Sequence, residues 1–130
     1  MSNELFTYEN LTRKEIRHRL AEIRPGDKGL ELKLICLEKL KSMPTREGGI
    51  LTTFRVADSS GSMHCNFFGE FGQSLEEGNI IYATSFTANT YKDQLLLYQA
   101  KYSKAFILGK YFLEFSDIPN FSLASVSKNN

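Results

Sequence analysis

The side chains best able to do chemistry in this sequence are aromatic rings and cations on the polar side of alternating strands. Between Met63 and Phe68 the residues Met63, Cys65 and Phe67 share one face, which leaves His64, Asn66 and Phe68 on the other. Further on, Leu95 and Leu97 make a core row with Tyr98 outside it, and Tyr91 flanks a Lys92-Asp93 turn. Large rings on the non-core face of a sheet call for a role. Stacking is one, since a nucleobase laid on an aromatic ring contributes about 1–3 kcal/mol whatever its sequence context. By alternation Lys33, Arg55 and Lys92 fall on or beside the same outer surface, with Lys39, Lys41 and Arg46 in the first long loop. Such cations contact phosphates and release counterions. A structural alternative stands beside this one: the rings cap a core or pack under an N-terminal helix.

Other chemistries find little support. His18 and His64 have no carboxylate or cysteine at a spacing useful for a triad or a metal. Cys36 and Cys65 fit no zinc spacing, and Cys65 alternates inward as a small core hydrophobe. Gly48-Gly49 has no accompanying phosphate-loop pattern. Neither an enzyme nor a cofactor or metal is expected. Sixteen basic against fifteen acidic residues in 130 give a net charge of +1, which excludes a polycationic, histone-like grip but not a locally basic groove. With 42% apolar and 24% charged residues the chain has material for one modest core. No apolar run nears the ~20 residues that span a bilayer, so an intracellular domain without a membrane partner is expected.

The elements that must hold these residues follow from periodicity. Thr12-Arg13-Lys14-Glu15 has the form of a capping box, and Ile16, Leu20 and Ile23 recur at helical spacing before Pro25-Gly26. A helix over 11–23 is expected. From Gly29 the period becomes two: Leu30, Leu32 and Leu34 alternate with Glu31, Lys33 and Ile35, and a loop over 42–49 follows. Strands are expected over 50–58, from Met63 to Phe68, over 80–91 and over 94–100, with a mixed apolar segment at 105–115. Phe71 and Leu75, four apart, suggest a short helical cover between the third and fourth strands. Five or six strands at this spacing point to a small barrel. The five-stranded oligonucleotide/oligosaccharide-binding (OB) Greek-key barrel has a helix in that position, while an SH3-like barrel or a sandwich also suits the pattern.

From Ile23 to Ser122 the chain resembles the OB domain of the SOSS-B family, the eukaryotic single-stranded DNA-binding proteins of the SOSS complex in the damage response. The resemblance is carried by Ile23-Arg24-Pro25-Gly26, by the run from Val56 to Ser62, by Gly78-Asn79-Ile80-Ile81, Tyr91-Lys92 and Leu95-Leu96-Leu97-Tyr98, and by the run from Phe115 to Ser122. It implies an all-β fold with a small helical component, a five-stranded OB barrel over 23–122; outside the resemblance, an extension with a short helix is expected over 1–22 and a polar, flexible tail over 123–130. It also implies stacking of single-stranded DNA on Phe68, Tyr91 and Tyr98, with Lys33, Arg55, Lys92, His64 and Asn66 around them, and a nuclear location. RNA stays open as a ligand. Thr87 stands where the family has a fourth ring, Glu31 and Asp93 add negative charge, and residues 25–122 hold ten basic against eleven acidic groups. Binding weaker than is typical of the family is therefore expected.

The apolar finish at Tyr111, Phe112, Phe115, Ile118, Pro119 and Phe121 is, by the same resemblance, a docking surface for a helical-repeat protein like SOSS-A, the large scaffold of that complex. Against this stands the simpler possibility that the segment wraps back and closes the barrel. A partner that recognises the family's long tail is not expected, because the sequence ends soon after the motif. The second functional expectation is an OB adaptor in a SOSS- or Integrator-like assembly with weak or no DNA binding.

Overall fold

The computed structural model describes residues 16–123. Six strands run in chain order as β1 (Leu30–Pro44), β2 (Ile50–Asp58), β3 (Gly61–Phe68), β4 (Asn79–Tyr91), β5 (Gln94–Tyr98) and β6 (Lys104–Lys110). A short helix α1 (Gly69–Ser74) lies between β3 and β4. The order β1-β2-β3-β5-β4 closes on itself through a β1–β4 pairing, and β6 adds to β4 outside the ring. This is the five-stranded OB barrel that the periodicity and resemblance lead one to expect, with one added strand.

The closure depends on a long, bent β1. Leu30–Ile35 pair with β4 and Ile35–Pro44 with β2. Register shifts between Cys36 and Glu38 and between Lys39 and Lys41 let one strand serve both neighbours, since a bulge bends its strand and increases the local twist. The strand thus runs into Ser42–Pro44, which composition alone assigns to a loop. β3 and β5 pair in parallel over only His64–Asn66 and Leu96–Tyr98.

Alternation fills the barrel. Leu30, Leu32, Leu34 and Cys36 of β1, Phe54 and Val56 of β2, Met63, Cys65 and Phe67 of β3, and Leu95 and Leu97 of β5 share one core. Phe67 is its hub, meeting Phe54 and Phe86 edge-on at 6.1 and 6.0 Å. Beneath it α1 seats Phe71 and the following Leu75 against the core. Gly72 is required there, because a Cβ at that position would come within 2.9 Å of Phe67 Cβ. Ile35 and Ala57 alternate outward, yet both are buried in a second cluster with Ile80, Tyr82 and Leu108, against which Leu37, Phe106 and Leu113 pack. The added strand β6 supplies that second layer.

The helix expected over 11–23 is not formed where the chain is described. Residues 11–15 lie outside the described range, residues 16–19 are not helical, and only Leu20–Glu22 make a 3-10 turn. The cause is competition for backbone groups. Arg17 and His18 donate their N–H groups to the side chain and carbonyl of Glu31, and the N–H of Glu31 donates to His18 Nδ1. Leu20 N–H donates to Asp58 Oδ2 at 2.9 Å. Leu20 and Ile23 nonetheless bury in the main core, as their spacing suggests, so the packed unit reaches back past residue 23.

The C-terminal segment wraps onto the barrel. Ser116 N–H donates to Asp58 O, Ser62 N–H to Pro119 O and Ser62 Oγ to Asp117 O. Ser122 is fully buried at the short β3–β5 seam, where its Oγ accepts the N–H of His64 and donates to Leu95 O. Phe121 packs against the core over Gly61, where an added Cβ would lie 2.5 Å from the ring. Phe121 is thus a closing piece of the barrel and not part of an exposed docking face; the serine and asparagine contacts around it draw it inward.

Candidate nucleic-acid interface

On the outer side of the barrel the cross-strand register assembles rows of polar and aromatic residues. One runs Glu38, Arg55, His64, Leu96, Asn89, and the next Lys41, Thr53, Asn66, Tyr98, Thr87. A third joins Met43, Leu51 and Phe68. Above the first two lies an open groove of about 910 Å³. Its floor is Thr53, His64, Asn66, Leu96 and Tyr98; one wall is the end of β1 with Lys41 and Met43 and the β1–β2 loop with Arg46, and the other the β4–β5 hairpin with Asn89, Tyr91 and Lys92.

Each expected binding residue can now be placed. Tyr98 is half-buried on the floor and Tyr91 is 62% exposed on the wall. Lys92 and Asp93 both adopt positive φ, 52° and 65°, as a two-residue hairpin of type I′ demands. This turn sets Lys92 Nζ 5.4 Å from the Tyr91 ring centroid, within cation–π range. Asn66 Oδ1 accepts from Thr53 Oγ1 at 2.6 Å, which fixes the amide on the floor. His64 is half-buried beside it. Burial holds its imidazole pKa below the ordinary value; Arg55 adds to that, Glu38 opposes it and Lys41 adds a little more.

Three expected residues lie elsewhere. Phe68 is 41% exposed at the end of β3, beyond the groove, with its N–H held by Gln99 Oε1 at 2.7 Å. Arg55 is in the first row but 3.4 Å from Glu38, which offsets part of its charge. Lys33 pairs across to Tyr82 on the β1–β4 side, so its placement on the same surface as Arg55 and Lys92 is corrected. Alternation identifies an outward residue, but the bend of β1 turns that part of the strand to another side of the barrel. Burial there lowers the pKa of Lys33. Lys41 and Arg46, visible in the sequence only as loop cations, face the groove together with Lys92. Thr87 is buried opposite Tyr98, and Phe86 points into the core, so Phe86 does not replace the missing ring.

At the C-terminal stretch Tyr111, Phe112, Phe115 and Ile118 are exposed, with Pro119 beside them. Tyr111 also lies over Gly78 and donates to Glu77 O at 3.2 Å. Among the described residues no three His, Cys, Asp or Glu side chains come together as a metal site. Nor is any described helix long and apolar enough to cross a membrane.

No protein-family model matches the chain. Its fold is similar to that of a hypothetical protein from Arabidopsis thaliana, at 15% identity and a TM-score of 0.71 over 85% of this chain and 86% of the other. It is similar to a replication factor A-related protein from Methanobacterium thermoautotrophicum, at 16% identity and a TM-score of 0.58 over 74% and 94%. The second OB-fold domain of replication protein A from Methanococcus maripaludis matches at 15% identity and a TM-score of 0.56 over 73% and 97%. At such identities these likenesses establish the fold, an OB barrel.

Proposed function

We propose that this protein binds single-stranded nucleic acid in the groove between the β1–β2 loop and the β4–β5 hairpin. The observation that carries the proposal is the joint placement of Tyr91 and Tyr98 in one open groove with Lys41, Arg46 and Lys92 on its walls. Rings give bases a surface to stack on, and the cations follow the backbone. Two of the similar folds belong to proteins named for replication protein A or factor A, which fits this use of the barrel. Phe68 extends the stacking surface past the groove's end. Single-stranded DNA is the ligand we favour, and the resemblance to the SOSS-B family suggests a nuclear role in the DNA damage response. Fluorescence anisotropy with a labelled twelve-nucleotide oligothymidine tests this: salt-sensitive binding that weakens in Tyr98→Ala supports it, and no binding at low salt overturns it.

A second reading is favoured by the exposed Tyr111, Phe112, Phe115 and Ile118. They would suit the apolar centre of a protein interface, so the domain would serve as an adaptor that docks a helical-repeat partner. Stable capture of such a partner by a chain that binds no oligonucleotide would establish it over the first.

A further inference from the structure

Ser122 and Asn120 do more than close the barrel seam, because they reach the histidine on the groove floor. Ser122 N–H donates to Asn120 Oδ1 at 3.0 Å, which settles the orientation of that amide: its oxygen faces Ser122 and its Nδ2 faces His64. Nδ2 lies 3.2 Å from His64 Nε2. An amide NH2 can only donate, so Nε2 must accept, and in a neutral imidazole the proton then sits on Nδ1. The backbone of His64 is held by the same segment, through Ser122 Oγ at 2.9 Å.

We propose that Asn120 fixes His64 as its neutral Nδ1–H tautomer, so that the ring offers a hydrogen-bond donor to an acceptor on a nucleotide in the groove, a base carbonyl or ring nitrogen. Asn120 is a positioning residue, and residues 120–122 become part of the binding machinery from outside the barrel strands. The charged groups around the ring agree with a neutral state. Arg55 on β2 and Lys41 on β1 disfavour a second cation, while Glu38 on β1 is drawn toward Arg55. The other neighbours in its row, Leu96 and Asn89, do not titrate. An imidazolium would also set an N–H of its own against the Asn120 donor.

The inference rests on the groove being the nucleic-acid site, and two measurements separate its failure from failure of that site. Two-bond proton–nitrogen correlation spectra of the ¹⁵N-labelled protein, without ligand, read the tautomer directly. Protonated Nδ1 with bare Nε2 at pH 7 is expected; an Nε2–H tautomer or an imidazolium overturns the proposal. Asn120→Asp keeps the acceptor for Ser122 but replaces the donor with a carboxylate, which favours the imidazolium. His64 should then titrate at higher pH than in the wild type, and binding of a twelve-nucleotide oligothymidine should change several-fold across about pH 6–8, at higher pH than any change the wild type shows. The double variant with His64→Gln should lose that dependence. An unchanged His64 titration in Asn120→Asp overturns the positioning role. His64→Gln alone should weaken binding about two- to tenfold. Wild-type affinity in His64→Gln, with Tyr98→Ala still impaired, overturns the donor role and leaves the groove standing; no binding by the wild type overturns both.

Discussion

Replacing Tyr98 with alanine is the most direct test of the groove. The ring sits half-buried on the floor, in the row between Asn66 and Thr87. Its loss removes one base stack of about 1–3 kcal/mol, a weakening of roughly 5- to 150-fold in Kd. Phe68→Ala should fall near the lower end, because Phe68 lies past the groove and away from Lys41, Arg46 and Lys92. Three cations at about −0.7 each give a slope near −2 in log Kobs against log salt for a single strand. Going from 50 to 200 mM salt should therefore weaken wild-type binding roughly twentyfold. Tyr98→Ala should keep that slope, Lys92→Ala should flatten it by about 0.7, and Lys33→Ala on the β1–β4 side should change neither slope nor affinity. Anisotropy titrations at four salt concentrations, with thermal melts to establish that each variant is folded, give all of these values. A Tyr98→Ala protein within twofold of wild type, or a Lys33→Ala protein as impaired as Lys92→Ala, would refute the assignment of this groove.

Other consequences can be checked separately. Asp93→Gly supplies the residue that best tolerates φ 65° in the hairpin turn and removes a negative charge beside Lys92. It should raise the Tm slightly and tighten oligothymidine binding at low salt. Ser122→Ala leaves the His64 N–H and the Leu95 carbonyl without their bridge, which costs about 1–3 kcal/mol; at roughly 4 °C per kcal/mol a calorimetric scan will resolve the drop, and an unchanged Tm means the segment does not close the seam. Burial pushes the Cys36 thiol up to about 12 and that of Cys65 well above its usual range. Neither should react with a thiol reagent at pH 8 until denaturant is added, and prompt labelling of the native protein would contradict their burial. Because burial holds the His64 pKa down, the unfolded chain takes up this proton at a higher pH than the folded one. The stability it confers is complete above about pH 6.5 and is lost as pH falls toward the folded value, so His64→Gln should flatten the stability-against-pH curve on that side.

Much of the barrel was legible because its signals are local. The range 50–58 for β2, the turn at Lys92-Asp93 and the helical cover after β3 follow from alternation and turn chemistry within a few residues. So do the inward Leu95 and Leu97 and the outward Tyr98. Three features were not legible, each for a long-range reason. The helix expected from Ile16, Leu20 and Ile23 gives way because Glu31 and Asp58, distant in sequence, take its backbone donors. Lys33 alternates correctly to the outside, but no period-two pattern records the bulges at Cys36/Glu38 and Lys39/Lys41 that carry it to another side. Phe121 belongs to an apolar run that looks like an interface, and only its neighbours Asn120 and Ser122, bonded across more than fifty residues to His64, show that its role is closure.

The last of these bears on how such a barrel acquires specificity. Parallel pairing between β3 and β5 spans three residues, so the ring is weakest beside the middle of the groove, where His64 sits. A segment from outside the ring supplies the missing hydrogen bonds there, and its asparagine also reaches the His64 ring. Closure of the sheet and the protonation state of a groove residue are therefore set by the same few atoms. A change at 120–122 should alter stability and base contact together, whereas a change at Tyr91 or Lys92, on an exposed hairpin, should alter binding alone.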